Sequence, residues 1–393
     1  MRPGAVAPAV GIRPVRIVFF IHGLSAGGAE RVTVTLANHW AQRGWDVVVV
    51  TLTGRESDFY TLDPRVRRCA LAMDRGSASV GAAVGANLGR LLALRRVLVQ
   101  ERPDAAIAMM TSANVLLALA AIGTRVAVRV GSERVHPPLL PLGRTWAALR
   151  RATYGRLSRV VAQTEQSATW LAAHTRAPAR RIAVIPNPVV YPLENGPPYV
   201  DLAALRADAG KRRVLLAVGR LDPAKGFDAL IDAFAALAGE HPEWGLVILG
   251  EGGERARLQD RVRTYGLSGD VFLPGRAGNM GACYAEADAY ALTSRVEGFP
   301  NSLLEAMAHG LPVVAVDCET GPGEIVTPDV DGLLVPPDDP AALTGALGRL
   351  LRDADLRRAL GERAVDVRAR FAVDRIARRW ERVLGAPARA GRA

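Results

Sequence analysis

Two glutamates in the second half of the chain have the spacing and surroundings of a ligand-binding loop. Glu297 and Glu305 lie in the segment S-R-V-E-G-F-P-N-S-L-L-E-A-M-A-H-G-L-P. Apolar residues at helical spacing begin after Pro300, and Gly310 and Pro312 together form a helix stop signal. We therefore expect Glu297 in a loop before a short helix and Glu305 one turn inside that helix. A carboxylate in such a loop can hold sugar hydroxyls, while the free N–H groups of the helix start bind an anion.

Two cations of the second half are candidates for neutralising such an anion. Arg220 and Lys225 lie between a predicted strand, Val214–Val218, and a predicted helix, Gly226–Leu237. At that position the side chains and the helix N-terminus would act on the same anion. A diphosphate is stabilised either by a bound metal or by fixed cations. The D-x-D sequence at 329–331 precedes a turn glycine instead of following a strand, so we expect fixed cations and no metal.

Further candidates follow two strands of the first half. Gly27 and Gly28 follow the first predicted strand and open a helix, where a backbone without side chains can approach a phosphate or a sugar. Their spacing fits neither the G-x-G-x-x-G nor the P-loop pattern, so a tight turn is an equal alternative. After a later strand, G-S-E-R-V-H-P would direct Glu133, Arg134 and His136 into a cleft. A lone histidine is more often a satisfied polar residue than a catalyst.

One predicted helix, Val84–Gln100, combines an apolar face with three arginines. The arginines are Arg90, Arg95 and Arg96, and they lie beside the apolar face. An ordinary amphipathic helix of a domain explains this pattern. The alternative is a helix that contacts membrane headgroups or the diphosphate of an acceptor. The predicted apolar face consists of Val84, Leu88, Leu91, Leu94 and Leu98.

Several segments, in order along nearly the whole chain, closely resemble the retaining glycosyltransferases of family 4. The E-x7-E segment at 294–310 resembles the signature of that family. Its wording is closest to bacterial N-acetylgalactosaminyltransferases that extend undecaprenyl-diphosphate glycans and to exopolysaccharide glycosyltransferases. The other matching segments are L-S-A-G-G-A-E-R-V (24–32), V-G-R-L-D-P-A-K-G-F (218–227), V-I-L-G-E-G (247–252), V-F-L-P-G (271–275), D-C-E-T-G-P-G-E-I-V (317–326) and D-G-L-L-V-P (331–336).

The resemblance implies a role for each motif. It implies that Glu297 faces the donor sugar, that Glu305 holds the nucleotide ribose, and that Arg220 and Lys225 contact the donor diphosphate. It also implies that catalysis needs no cofactor. The glycines and loop residues that it assigns to the donor are Gly27, Gly28, Gly298, Phe299, Asn301 and Ser302. The acceptor is expected to meet Glu133, Arg134, His136, Arg90, Arg95 and Arg96.

Strands alternate with amphipathic helices from end to end, which predicts parallel α/β sheets. A proline-rich stretch, 186–198, interrupts the alternation and reads as an extended connector. We therefore expect an N-terminal acceptor-binding Rossmann-like domain (1–190), a C-terminal nucleotide-sugar-binding Rossmann-like domain (191–372) and a last helix (373–393) that crosses back. Two such domains facing across a cleft form the GT-B fold that the resemblance implies, and ligands bind at the C-terminal ends of the strands.

Charge is distributed unevenly between the two halves. Residues 1–200 carry 25 arginines against 11 acidic residues, whereas residues 201–393 carry 25 basic residues against 28 acidic ones. The excess of arginine over acidic residues in the first half favours a polyanionic partner. Since no nucleic-acid-binding motif accompanies it, an anionic membrane surface or a lipid diphosphate fits better than nucleic acid. Drift towards arginine is the alternative, because only two of the 50 basic residues are lysines.

The remaining composition bounds the location of the protein. No apolar run approaches the ~18 residues that a membrane span requires. The first 14 residues lack the apolar core of a signal peptide. The three cysteines suggest neither a disulfide framework nor a metal site. We expect a cytoplasmic protein that lies peripherally on the inner face of the cell membrane.

Together these features predict a metal-independent glycosyltransferase, and the family resemblance implies that it retains the configuration of the sugar. It would move a sugar from a nucleotide donor, such as UDP-GalNAc, to a lipid-diphosphate-linked glycan. The alternatives are a transferase of another donor or acceptor (GDP-mannose, phosphatidylinositol or a small molecule), a nucleotide-sugar epimerase on the same fold, and a basic binding protein that has lost catalysis.

Overall fold

The fold is described from a computed structural model that covers residues 14–74, 80–139 and 141–385. The N-terminal segment 1–13, on which the signal-peptide expectation depends, lies outside these residues. So do positions 386–393 of the predicted last helix. No helix within the described ranges has both the length and the apolar composition that a membrane span requires.

The first unit is built on a seven-stranded parallel sheet with the strand order β3-β2-β1-β4-β5-β6-β7. Its strands are β1 (Arg16–Ile21), β2 (Asp46–Thr51), β3 (Arg67–Ala70), β4 (Ala105–Met109), β5 (Val128–Ser132), β6 (Arg159–Ala162) and β7 (Ile182–Val184). Its helices are α1 (Gly28–Gln42), α2 (Val80–Glu101), α3 (Thr111–Ala120), α4 (Gly143–Thr153) and α5 (Glu165–His174).

The second unit is built on a six-stranded parallel sheet with the order β10-β9-β8-β11-β12-β13. Its strands are β8 (Arg213–Val218), β9 (Trp244–Leu249), β10 (Val271–Gly275), β11 (Ala289–Leu292), β12 (Val313–Val316) and β13 (Leu333–Val335). Its helices are α6 (Leu202–Asp208), α7 (Phe227–Ala238), α8 (Arg255–Thr264), α9 (Met280–Glu286), α10 (Asn301–Ala308), α11 (Pro322–Ile325), α12 (Pro340–Arg352), α13 (Ala354–Ala364) and α14 (Val367–Arg370).

Each sheet is buried on both faces, as near-continuous apolar strands require. The residues of β1 alternate between two cores, with Ile17, Phe19 and Ile21 on one side and Val18 and Phe20 on the other. The second sheet likewise separates two apolar clusters. The two units are therefore three-layer α/β structures, each built on a parallel sheet as the sequence predicts.

The last helix, α15 (Val373–Leu384), packs on the first unit although it follows the second. Its Trp380 lies fully buried in the core that α1 covers. The indole of Trp40 on α1 donates a hydrogen bond to Glu381 at 3.2 Å. Beside this crossing, the backbone N–H of Val189 in the connector donates to the carbonyl of Phe371 at 2.9 Å. The connector and the segment that leads into α15 therefore run next to each other between the two units.

Two edge strands and one helix of the structure do not follow from apolar periodicity. The edge strand β3 reads R-R-C-A, and its arginines pair with Asp46, Glu101 and Asp58 instead of a core. The other edge strand, β13, has three residues. Polar composition and short length are how natural sheets protect their edges, and they remove the sequence signal. The helix α8 buries only Leu258 and Val262, which is too narrow a stripe to predict.

Candidate functional site

The loops that follow β8 and β11 bring Lys225 and Glu297 together. These strands are neighbours in the parallel sheet, so the loops at their C-terminal ends are adjacent. The backbone N–H of Arg295 donates to the carbonyl of Ala224 at 2.8 Å, which holds the two loops against each other. Lys225 Nζ lies 2.6 Å from Glu297 Oε1. A cation and a carboxylate are therefore paired at the C-terminal ends of these strands.

The Glu297 side chain is held from several directions. Its carboxylate accepts a hydrogen bond from the Ser294 hydroxyl at 2.7 Å in addition to the Lys225 ammonium. Its backbone carbonyl accepts from the Thr320 hydroxyl at 2.6 Å, in the loop after β12. The side chain is 9% exposed. Such a carboxylate is oriented before any ligand arrives, which is the arrangement that favours transition-state stabilisation.

Two glycines make this packing possible. Gly226 adopts a left-handed φ of 63°, and a Cβ there would lie 2.0 Å from the carbonyl oxygen of Thr293. Gly298 meets the first unit, where a Cβ would lie 2.4 Å from the carbonyl oxygen of Arg134 and 2.6 Å from Gln163 Oε1. Any larger residue at these positions would push the loops apart.

Glu305 is buried at the boundary of the two units, where it meets Arg31 of α1. Arg31 Nε lies 2.7 Å from Glu305 Oε1, and the Tyr284 hydroxyl donates to Oε2 at 3.2 Å. Burial raises the pKa of the Glu305 carboxyl, and the charge of Arg31 and the bond from Tyr284 oppose that shift. The guanidinium of Arg31 also lies over the ring of Tyr60. Arg31 was not among the residues that the sequence predicted.

The glycine loop of the first unit contacts the loop that carries the glutamates. The amide of Asn301 donates to the carbonyl of Gly28 at 3.2 Å. The amide of Asn187, at the end of the first unit, donates to the carbonyl of Phe299 at 2.9 Å and to the Asn301 side chain at 2.6 Å. We call the region formed by Gly27, Gly28, Arg31, Lys225, Glu297, Asn301 and Glu305 the inter-sheet site.

The remaining donor-site candidates lie around this region. Arg220 is mostly exposed and pairs with Asp222 at 2.6 Å, in the loop that also carries Lys225. The charge of Arg220 acts on the Glu30 carboxyl in the first turn of α1, whose pKa is raised by burial. Ser302 instead accepts a hydrogen bond from the Tyr290 hydroxyl at 2.8 Å, inside the second unit.

Glu133 points into the interior of the first unit. Its carboxylate accepts hydrogen bonds from the Thr111 hydroxyl at 2.8 Å and from the hydroxyl of Tyr154. Asn114 completes the network by donating to Tyr154 at 2.9 Å. Burial raises the pKa of the Glu133 carboxyl. These contacts give Glu133 a buried polar network in the structure, while its contact with an acceptor stays a prediction.

Arg134 and His136 lie at the boundary of the two units. Arg134 donates to the Ser132 hydroxyl at 3.3 Å and to the Asn187 side chain, and it has no carboxylate partner among the described residues. Burial lowers the pKa of Arg134 to about 9. His136 Nδ1 lies 3.0 Å from the Ser167 hydroxyl, and its Nε2 lies 3.6 Å from Glu319 of the second unit. Burial also lowers the pKa of His136.

The arginines of α2 have separate local roles. Arg90 donates to the carbonyl of Met73 at 2.8 Å. Arg95 donates to the carbonyls of Ala120 and Ile122, at the end of α3. Arg96 is exposed. None of the contacts described here between these three arginines and other described residues reaches the inter-sheet site.

The predicted apolar face of α2 is wrong in detail. Leu94 and Leu98 are buried as predicted, but Val84 and Leu88 are exposed by more than half. The first turns of α2 face solvent because only the later turns reach the core that α3 shares. The exposed apolar residues of this helix are Val84, Leu88, Leu92 and Val99, which we call the α2 stripe.

Replacing Arg31 with glutamine is expected to destabilise the protein in a pH-dependent way. The raised pKa of Glu305 means that the folded state binds a proton there more readily than the unfolded chain, so stability falls as pH rises through that pKa. Without Arg31 the pKa would rise further. We expect the free energy of unfolding to fall by about 2 kcal/mol at pH 8 and by less at pH 5. The loss at pH 8 is below the usual cost of breaking a buried ion pair because the Arg31 side chain is 23% exposed.

Urea unfolding at the two pH values measures this difference. Arg31→Lys, which keeps the charge, should retain most of the stability at pH 8. An equal loss at pH 5 and pH 8 would show that Arg31 contributes by packing alone.

The inter-sheet site combines cations, a carboxylate and a helix start. Lys225 and Arg220 supply positive charge, Glu297 can accept hydrogen bonds from hydroxyls, and Gly28 begins α1 without a side chain. Among the residues the structure describes, no three His, Cys, Asp or Glu side chains are grouped so that they could hold a metal ion.

The sheet topology and the likeness to solved structures define the GT-B fold, which confirms the predicted fold class. Residues 26–190 match the family described as Glycosyltransferase Family 4, and residues 205–367 match Glycosyl transferases group 1. The chain belongs to these glycosyltransferases, with the two families covering its two halves. The expected family and enzyme class are therefore confirmed.

Several curated relatives carry related names. The chain is 27% identical to the amylovoran biosynthesis glycosyltransferase AmsD of Erwinia amylovora, over 94% of this chain and 99% of the relative. It is 27% identical, over 94% and 98%, to a Campylobacter jejuni α-1,4-N-acetyl-D-galactosaminyltransferase named for a diphospho-undecaprenol glycan. It is 31% identical to an exopolysaccharide phosphotransferase of Streptomyces coelicolor, but it spans only 40% of that protein's length.

Solved structures share the fold over almost the whole chain. Anabaena HepE in complex with UDP and glucose superposes with a TM-score of 0.75 at 22% identity, covering 94% of this chain and 99% of HepE. Sucrose-phosphate synthase from Thermosynechococcus elongatus superposes with a TM-score of 0.78 at 22% identity, covering 94% and 98%.

Proposed function

We propose that the protein transfers a sugar from a UDP-sugar, such as UDP-GalNAc, to a lipid-diphosphate-linked glycan with retention of configuration and without a bound metal. The observation that carries the proposal is the pairing of Lys225 with Glu297 beside the glycine loop of the opposite unit. The Lys225 ammonium would meet the leaving diphosphate, and the adjacent Glu297 carboxylate would meet the sugar. The family membership of both halves supports the reaction class.

The donor would span the two units. Its diphosphate would meet Lys225 and Arg220, with Gly28 allowing close approach of the backbone. Glu297 would orient the sugar through its hydroxyls. Glu305 would accept hydrogen bonds from the ribose and share its carboxylate with Arg31. The UDP bound in HepE supports a uridine nucleotide as the donor's leaving group.

Retention follows from chemistry on one face of the sugar. The bond from the anomeric carbon to the β-phosphate oxygen breaks, and the acceptor oxygen bonds to the same carbon on the same face. The proton of the acceptor hydroxyl passes to the departing phosphate oxygen, so UDP leaves with its charge offset by Lys225 and Arg220. In this scheme the protein binds and orients, and no side chain forms a covalent intermediate.

A lipid-diphosphate acceptor agrees with the charge of the first unit. Arg134 carries a buried charge that no carboxylate balances within the described residues, and burying such a charge is costly unless it is paired. We expect the acceptor's diphosphate to approach this boundary. The Campylobacter relative named for a diphospho-undecaprenol glycan supports this acceptor class.

Membrane association would place the protein next to such an acceptor on the cytoplasmic face. The excess of arginine in residues 1–200 and the α2 stripe provide attraction to anionic headgroups and an apolar surface for the interface.

We expect co-sedimentation with anionic vesicles at ~0.1 M salt, where the screening length is ~10 Å. Binding should fall sharply towards ~1 M, where that length is ~3 Å. Neutral vesicles are the control. Equal binding to neutral and anionic vesicles at every salt concentration would exclude an electrostatic attachment.

The direct test is a screen of labelled UDP-sugars and GDP-mannose against polyprenyl-diphosphate glycan acceptors. The proposal predicts a product one sugar heavier than the acceptor, and UDP release that depends on the acceptor. Conversion of the UDP-sugar to its epimer without any acceptor would indicate the epimerase instead. Transfer from GDP-mannose alone would refute the uridine donor.

A further inference from the structure

A groove of about 540 Å³ opens on the first unit between the C-terminal ends of α4 and α5. Its lining includes Arg150, Arg151, Arg176, Trp170 and His174, together with three alanines and no acidic residue. The two helices lead into the N-terminal ends of β6 and β7. The groove therefore lies at the N-terminal ends of the strands, whereas the inter-sheet site lies at their C-terminal ends. None of the groove residues takes part in the reaction proposed above.

The position of Arg150 within this groove indicates that its ligand is an anion. The residue is 7% exposed, its guanidinium lies over the ring of Trp170, and no carboxylate of the described residues pairs with it. The charge of Arg150 acts on Glu133, but that carboxylate already accepts hydrogen bonds from Tyr154 and Thr111. A guanidinium that stacks on an aromatic ring keeps its in-plane N–H donors available for an anion in the groove. Arg151 and Arg176 are both exposed and add positive charge at the mouth of the groove.

The aromatic residue in the groove restricts the kind of anion. The guanidinium of Arg150 lies 4.6 Å from the ring centre of Trp170, and the His174 ring stacks on the same indole at 4.3 Å. Two groups thus already pack against this indole, so a nucleobase or a sugar ring would have to compete with them in order to stack there. The recognition that remains is of a phosphate by arginine donors.

We propose that this groove binds the phosphate of a membrane lipid headgroup. The helices α2, α3, α4 and α5 cover one face of the first sheet and share one apolar core. The groove thus lies on the same layer of helices as the α2 stripe. An apolar stripe that enters the interface and a cationic groove that holds a headgroup would fix the orientation of the first unit on the bilayer. The inference rests on the membrane association proposed above.

The test compares two double variants that lose the same net charge. Arg151→Gln with Arg176→Gln removes two arginines at the mouth of the groove and leaves Arg150 and the fold in place. Arg352→Gln with Arg358→Gln removes two exposed arginines of the second unit. Partitioning onto vesicles of phosphatidylglycerol in phosphatidylcholine is measured by co-sedimentation. We expect the groove variant to bind about 25-fold more weakly, roughly fivefold per arginine, and the control to stay within about twofold of wild type.

Further measurements separate headgroup binding in this groove from a general effect of charge. Arg150→Gln should weaken vesicle binding as well, and anionic vesicles should change the tryptophan fluorescence of the wild type but not that of Trp170→Phe. Equal weakening of the two double variants would overturn the proposal, because only overall charge would then matter. Saturable binding of inorganic phosphate with unchanged vesicle binding in the groove variant would also overturn it. If the wild type binds no vesicles, the membrane association itself fails, whereas the screen for sugar transfer stands apart from this result.

Discussion

Replacing Lys225 with alanine is expected to lower kcat/KM for sugar transfer by roughly 2–4 kcal/mol, about 30- to 1000-fold. The ammonium lies 2.6 Å from Glu297 in the loop that opens α7, where a leaving diphosphate would gain its charge. Removing one preorganised group that stabilises developing charge has this cost in other enzymes. Steady-state transfer with a saturating acceptor measures it.

The chain contains its own control for this substitution. Lys211, the other lysine, pairs with Asp270 and donates to the carbonyl of Pro242 at 2.8 Å, at the N-terminal side of β8. Lys211→Ala should leave transfer nearly unchanged. Since fixed cations would take the place of a metal, the wild type should also keep its activity in excess EDTA. Complete loss in EDTA that Mn²⁺ or Mg²⁺ restores would contradict the role given to Lys225.

Glu297→Gln is expected to lower kcat by about 100- to 1000-fold while UDP still binds. The carboxylate is oriented by Ser294 and Lys225, and its proposed partner is the sugar, which free UDP lacks. Glutamine keeps the size of the side chain but loses the charge. Lys225 would then be released from its ion pair, so affinity for UDP should be kept or increased.

Glu362→Gln on α13 is the matched control, because it makes the same chemical change at an exposed position. Transfer by this variant should equal that of the wild type. If Glu297→Gln weakens UDP as strongly as it slows transfer, the carboxylate acts on the nucleotide and the division of roles is wrong.

The sequence predicts the local structure of the second half well because its signals are local. Helix α10 begins at Asn301, directly after Pro300, and carries Glu305 as the apolar periodicity predicts. The loops of Lys225 and Glu297 meet because their strands pair in parallel. A periodic pattern reveals the strands, and the resemblance to a known family suggests which loops belong together. The roles given to these residues stay predictions until they are measured.

What the sequence does not reveal are contacts between distant parts of the chain. Arg31 follows a glycine loop on α1, and nothing near it indicates a carboxylate partner in the second unit. Glu133 follows a strand in the same way as a site residue, but Tyr154 and Thr111 bind it inside the first unit. On α2 the periodicity is real, yet only neighbouring helices decide which turns are covered. Tertiary packing decides all three cases.

The most direct test of the inter-sheet site is calorimetric titration of UDP into the wild type and into Glu305→Ala. We predict saturable binding of one UDP by the wild type. The variant should bind UDP more weakly by about 1.5–3 kcal/mol, the cost of a lost charge-assisted hydrogen bond to the ribose. Equal UDP affinity in the wild type and the variant, or no UDP binding by the wild type, would contradict a nucleotide site at the boundary of the two sheets.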